Sequence, residues 1–230
     1  MNNIPYTKWF FLLTTLFVAQ AFGQFEQPNY IQVPNWPALP HNSQLGQVTG
    51  VAVGGQRVYV FHRSDRTWTN PFPAETISGR TIAIFDSETG NLLSSLGART
   101  FIMPHGLSVD KKGDLWLTDV GSHQVFKIQP QSGKVLLTLG TAGVAGTGRL
   151  HFDRPTDVGF SRDGTVYVSD GYINTRIVRF SPTGKYLGQW GTPGSQAGEF
   201  NLPHGITVLR KRVYVCDRSN LRVQVFNLQG

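Results

Sequence analysis

The chain has 230 residues, of which 40% are hydrophobic and 12% aromatic, enough to bury a sizeable core. Its 26 Gly and 13 Pro follow no period and only 15% of its residues are charged, which excludes collagen-like, low-complexity and disordered chains and a charge-laced helical bundle. The net charge of +7 comes from 21 Lys and Arg spread without a dense run, which argues against a nucleic-acid groove, and the single Cys216 rules out an internal disulfide or a Cys-rich zinc knuckle.

Residues 1–23 are predicted to be a secretory signal. Lys8 precedes an apolar stretch from Trp9 to Val18, and small residues at Ala21 and Gly23 suit cleavage. The apolar run falls short of the ~20 residues that span a bilayer, which disfavours the alternative of a membrane anchor. The expected location is therefore secreted or periplasmic. Residues 24–48, rich in Pro, Asn and Gln, read as an extended lead-in segment.

From 49 to 230 the chain repeats itself. His105-Gly-Leu-Ser-Val-Asp110 followed by Leu115-Trp-Leu-Thr-Asp119 and Val125-Phe-Lys-Ile128 corresponds to Thr156–Phe160, Val166–Asp170 and Ile177–Phe180. It corresponds again to His204–Val208, Val213–Asp217 and Val223–Phe226, and more weakly to Gly50–Val53, Val58–Phe61, Ile82–Phe85 and Leu92–Leu96. Each copy predicts four short strands joined by Gly, Asp, Asn and Ser turns, and no amphipathic helix of useful length appears. Four strands in a repeat of nearly 50 residues predict an all-β fold, the blade of a β-propeller; a β-sandwich lacks such periodicity. There is room for about four blades, and the last repeat stops after its third strand. The expectation is a C-terminally truncated ring or one that a second copy completes.

Met103-Pro-His105-Gly and Leu202-Pro-His204-Gly occupy equivalent blade positions, so their imidazoles are expected to converge on the axis, where they suit a transition metal such as zinc. The competing reading is turn chemistry, with each imidazole bonded to backbone. Arg63, Tyr172 and Arg218 follow the second strand of their blades. Two guanidinium forks suit a carboxylate, and a phenol between two cations and a metal is placed to serve as a base; singly, each also reads as a loop residue. His62, His123 and His151 lack matching partners and read as structural or surface residues, and Cys216 as a small buried apolar one.

Phe61-His-Arg63-x-Asp65-x-x-Trp68, Pro104-His-Gly-Leu-Ser108, Thr118-Asp-Val120, Pro155-Thr-Asp-Val158, Ser169-Asp-Gly-Tyr172-x-Asn174-x-Arg176 and Gln189-Trp-Gly191 resemble the peptidyl-α-hydroxyglycine α-amidating lyase (peptidylamidoglycolate lyase) family of NHL-repeat propellers, from about Gly50 to Phe226. The resemblance implies a six-bladed ring that cleaves a peptide's C-terminal α-hydroxyglycine to glyoxylate and a peptide amide. It implies His105 and His204 as two of three zinc ligands, Tyr172 as catalytic base, and Arg63 and Arg218 as active-site arginines. Backbone oxygens of Val51 and Leu107 would hold a structural calcium, and a hydroxylating monooxygenase is the implied partner. The third zinc His would lie in a later blade. Asp153, Ile173, Tyr214 and Val225 stand where related animal chains are expected to carry Cys. Two other readings remain open: a non-catalytic NHL propeller binding peptide or glycan, and a propeller lyase or lactonase of different specificity.

Overall fold

The computed structural model describes residues 30–41 and 43–230, so the expected signal lies outside the described residues. Everything below concerns the unit Asn35–Gly230.

Runs of Val, Ile, Leu, Tyr and Phe form β1 (Val48–Gly54), β2 (Arg57–His62), β3 (Ile82–Asp86) and β4 (Leu92–Leu96), hydrogen-bonded in chain order as one antiparallel sheet. The second sheet is β5 (Pro104–Val109), β6 (Leu115–Asp119), β7 (Gln124–Ile128) and β8 (Val135–Leu139). The third is β9 (Pro155–Phe160), β10 (Val166–Asp170), β11 (Arg176–Phe180) and β12 (Tyr186–Trp190). A two-stranded parallel pair, β13 (Thr192–Pro193) and β14 (Glu199–Phe200), leads to the last sheet: β15 (Pro203–Leu209), β16 (Arg212–Asp217) and β17 (Arg222–Phe226). These sheets are the predicted blades, the last with three strands.

The sheets stack face to face. Tyr59, Phe61, Ile82 and Ile84 of the first pack against Leu107, Leu117 and Phe126 of the second. Trp116 and Val125 of the second meet Val158, Val168 and Phe180 of the third. Tyr167 and Ile177 of the third meet Ile206, Val213 and Val215 of the last. Burial on both faces explains why β6 and β10 are buried at every position rather than alternating. Each such side chain contributes roughly 1.5–3 kcal/mol. Trp36, Leu39 and Leu45 pack on the remaining apolar face of the first sheet, over Val58, Val60, Ala83 and Phe85.

β1, β5, β9 and β15 lie innermost, side by side, around a channel of about 340 Å³ lined by Val51, Leu107, Val158 and Ile206 among others. Close approach there needs glycine: a Cβ on Gly106 would sit 2.5 Å from the Thr156 carbonyl oxygen.

Two polar devices recur from blade to blade. The Asp ending the second strand gathers loop N–H groups: Asp119 accepts from Ile102, Met103, Gly121 and Ser122, Asp170 from Asp153, and Asp217 from Asn201. Asp170 and Asp217 also receive the Nε of Arg176 and Arg222. In the first blade His62 does this work, its Nδ1 accepting from Gly46 and Ser64, and burial lowers its pKa, which keeps the acceptor neutral. The residue before each Asp latches the next blade: Thr118 Oγ1 donates to the Thr156 carbonyl (3.0 Å) and Ser169 Oγ to the His204 carbonyl (2.9 Å). Cys216 holds the same position in the last blade. It is exposed, against the expectation of burial, because among the described residues no further sheet covers the face of β16 opposite Val213 and Val215, whereas Thr118 and Ser169 at the same position are covered by the next blade.

Candidate active site

The blade ends at Pro104, Pro155 and Pro203 form one rim of the channel, and the loops that follow β2, β10 and β16 stand beside them. There the structure brings His105, His204 and Tyr172 together. The Tyr172 hydroxyl lies 3.1 Å from His105 Nε2 and 3.4 Å from His204 Nε2. The two imidazole centroids are 4.8 Å apart. The axial convergence expected from the repeated Pro-His-Gly is therefore present.

His105 is buried, and its Nδ1 is 2.7 Å from the Thr156 carbonyl oxygen. A carbonyl only accepts, so Nδ1 carries the proton and Nε2 presents its lone pair to the site. Burial lowers the His105 pKa to about 4, with the charges of His204, Arg63 and Arg218 acting in the same direction. Burial, then Arg218, lowers that of His204. Two neutral imidazoles, one with its tautomer locked by a backbone carbonyl, form a donor set that suits zinc. Among the described residues no group of three His, Cys, Asp or Glu side chains is arranged to hold a metal. His105 and His204 thus fit two positions of such a site.

Arg63 is buried. Its Nε donates to the Pro104 carbonyl oxygen (3.2 Å) and its Nη1 to Gln47 Oε1 (2.8 Å), which leaves Nη2 free. Its guanidinium lies 5.0 Å from the Trp68 ring, and Trp68 in turn lies 5.3 Å from the Tyr172 ring. Burial depresses the Arg63 pKa, and negative charge on the Tyr172 oxygen opposes that shift. Arg218 opens a short 3-10 turn, Arg218–Asn220, is exposed, and acts on both histidines through its charge. The five expected side chains are thus grouped on one rim. Val51 and Leu107 line the channel on β1 and β5.

Residues 101–128 and 200–226 match the NHL repeat. A probable peptidyl-alpha-hydroxyglycine alpha-amidating lyase of Caenorhabditis elegans is 39% identical over 200 residues, 81% of this chain and 57% of the relative. The chain is an NHL-repeat propeller homologous to the amidating lyases. A peptidyl-glycine alpha-amidating monooxygenase of Mus musculus is also 39% identical, over 89% of this chain but 22% of its own length. The chain therefore spans between about a fifth and somewhat over half of these relatives. Among solved structures, a Bacteroides thetaiotaomicron protein of unknown function superposes with a TM-score of 0.60 at 15% identity, over 79% of this chain and 47% of the other, a likeness of fold alone.

Within this lyase-like propeller, sequence reasoning missed two residues of the site. Gln47 lies in the segment read as a lead-in, and its backbone oxygen also accepts the Arg63 N–H. Trp68 stood within a quoted motif without a role. Its loop crosses from the first blade to the third, where Phe72 packs edge-on to Trp68 (4.9 Å) and beneath the Arg154 guanidinium (4.7 Å). Arg66 pins the loop by donating to the Ile102 carbonyl, and Ile77 is fully buried beneath it. No periodic signal marks either residue, because both lie outside the repeat.

Proposed function

We propose that this protein is a zinc-dependent lyase that cleaves peptidyl-α-hydroxyglycine to a peptide amide and glyoxylate. The observation that carries the reading is the convergence of two imidazole nitrogens from separate blades on the hydroxyl of Tyr172, with Arg63 and Arg218 beside it. His105 and His204 would hold zinc, which when bound acts as a Lewis acid on the substrate hydroxyl oxygen.

The side chains supply the rest. Arg63, held through Nε by the Pro104 carbonyl and through Nη1 by Gln47, receives the substrate carboxylate on its spare Nη2, and Arg218 adds a second cation. Tyr172, as phenolate, takes the hydroxyl proton. The freed electron pair forms the aldehyde C=O as the C–N bond breaks, and the bond's electrons leave on the amide nitrogen. Tyr172 returns its proton to that nitrogen, so no redox partner is needed. Carbonyl oxygens of Val51 and Leu107 are proposed to hold a structural calcium in the channel. The substrate would come from a hydroxylating monooxygenase outside the cytoplasm. No helix among the described residues is long and apolar enough to cross a membrane.

The test uses the full-length protein: zinc content and glyoxylate release from an α-hydroxyglycine peptide. Tyr172→Phe is expected to lower turnover at least about 100-fold while zinc content stays, the scale of a lost proton-transfer catalyst. Unchanged turnover rejects Tyr172 as base, and absence of bound zinc in the unaltered protein favours a binding propeller.

A further inference from the structure

The end of the propeller opposite Tyr172 carries charge that the proposed reaction does not use. Register places the turns after β1, β5, β9 and β15 at that end, because Val109 pairs with Leu115, Phe160 with Val166 and Leu209 with Arg212, while Pro104, Pro155 and Pro203 pair at the catalytic rim. Lys111, Lys112, Arg162, Arg210, Lys211 and Arg212 stand exposed there, with Lys134 and Lys185 in the outer turns. None of these takes part in an ion pair among the described residues. The nearby carboxylates are already engaged. Asp110 and Asp114 both hold Lys127, and Asp163 is bonded to Ser161 and Thr165. Asp86 and Glu88 lie at the same end in the first blade, where Asp86 caps its own turn.

The turn in the last blade holds two of these cations in an unfavourable backbone conformation. Arg210 (φ 49°) and Lys211 (φ 63°) occupy left-handed backbone in succession, the only adjacent non-glycine pair to do so among the described residues. The matching turns of the other blades place Gly55, Gly113 and Gly164 in that region. A two-residue hairpin turn of this kind favours Asn-Gly, and side chains such as Arg and Lys are strained there. Beside the turn, Leu209 is 59% exposed. A cleft of about 700 Å³ runs between the third and last blades, walled by Phe160, Val208 and Leu228 and rimmed by Arg162, Arg210 and Lys211.

We infer that this end of the propeller docks on a bilayer surface of anionic lipid. The cations at the tips of neighbouring blades, two of them held in strained backbone, would meet the headgroups. Leu209 and the apolar cleft would accept acyl chain below them, a fit that a soluble polyanion does not use. The catalytic rim would face away from the membrane, open to peptides.

The test is co-sedimentation of the full-length protein with vesicles of phosphatidylcholine alone and of phosphatidylcholine with about 30% phosphatidylglycerol, with rising salt and with heparin as a competing probe. The expected result is retention only by the acidic vesicles, lost at high salt. The variant Arg210→Asn/Lys211→Gly removes two cations and relieves the turn. Its melting temperature should hold or rise while partitioning falls about thirtyfold, from about 1 kcal/mol per cation near an acidic leaflet. A second variant, Lys112→Glu/Arg162→Glu, carries the test to the two preceding blades and should weaken retention at least as much. The inference is overturned by equal retention on neutral vesicles, by heparin binding without vesicle retention, or by partitioning that neither variant changes.

Discussion

Two buried groups within the inner strands should make acid stability depend on which of them is removed. His105 has its pKa lowered from 6.5 to about 4, chiefly by burial. In the native state it stays neutral over a range where the unfolded chain takes up a proton, so its contribution is full above pH 6.5 and is lost as pH falls toward about 4. Each pKa unit corresponds to about 1.4 kcal/mol, so the loss is about 3 kcal/mol. Asp157 acts in the opposite sense. Burial raises its pKa from 3.8 to about 6, against the N–H groups of Ile206 and Val158 that it accepts. Its native form holds a proton that the unfolded chain releases, so its contribution is full below pH 3.8 and lost as pH rises through about 6, again by about 3 kcal/mol. The two nearly cancel between pH 4 and 6. Urea unfolding of chelator-treated protein at several pH values measures this directly. His105→Gln should gain stability relative to the unaltered protein by about 3 kcal/mol as pH falls from 7 to 4, and Asp157→Asn should lose a similar amount over the lower part of that range. A difference between His105→Gln and the unaltered protein that stays constant from pH 7 to pH 4 would refute the reasoning.

Gly171 precedes Tyr172, and a Cβ there would lie 1.7 Å from the Pro203 carbonyl oxygen, closer than any rotamer change can relieve. Gly171→Ala is therefore expected to cost about 1–3 kcal/mol in thermal or urea unfolding and to lower glyoxylate release by about 100-fold through displacement of the phenol. Trp68→Leu, which removes the ring between Arg63 and Tyr172, should raise KM for the α-hydroxyglycine peptide several-fold and shift unfolding by less than about 2 kcal/mol, since Trp68 is 38% exposed.

The blades were legible because burial on both faces leaves nearly unbroken apolar runs between glycine turns, and because the Asp at the end of the second strand does the same hydrogen-bonding work in three of four copies. The histidine pair was legible for a related reason: equal positions in a ring share an axis. Gln47 and Trp68 were not, since their roles depend on where a non-repeating segment returns in space. His62 read as unmatched, although its imidazole nitrogen replaces a carboxylate oxygen as an acceptor, an equivalence that residue type conceals. Cys216 was misjudged because its exposure depends on whether another sheet covers that face of β16, which apolar character does not reveal. Tyr214 and Val225, where the resemblance expects cysteines, are direct cross-strand neighbours on β16 and β17.

The hydroxyl latches have a consequence for how such a ring can be rebuilt. Thr118 belongs to one sheet yet sets the peptide plane at Thr156 in the next, and that same oxygen fixes the tautomer of His105. Ser169 holds the peptide of His204 in the same way. A single repeat grafted into a foreign scaffold would carry its imidazole but leave behind the anchor that aims it, so the smallest unit that transfers one aimed imidazole is a pair of adjoining blades.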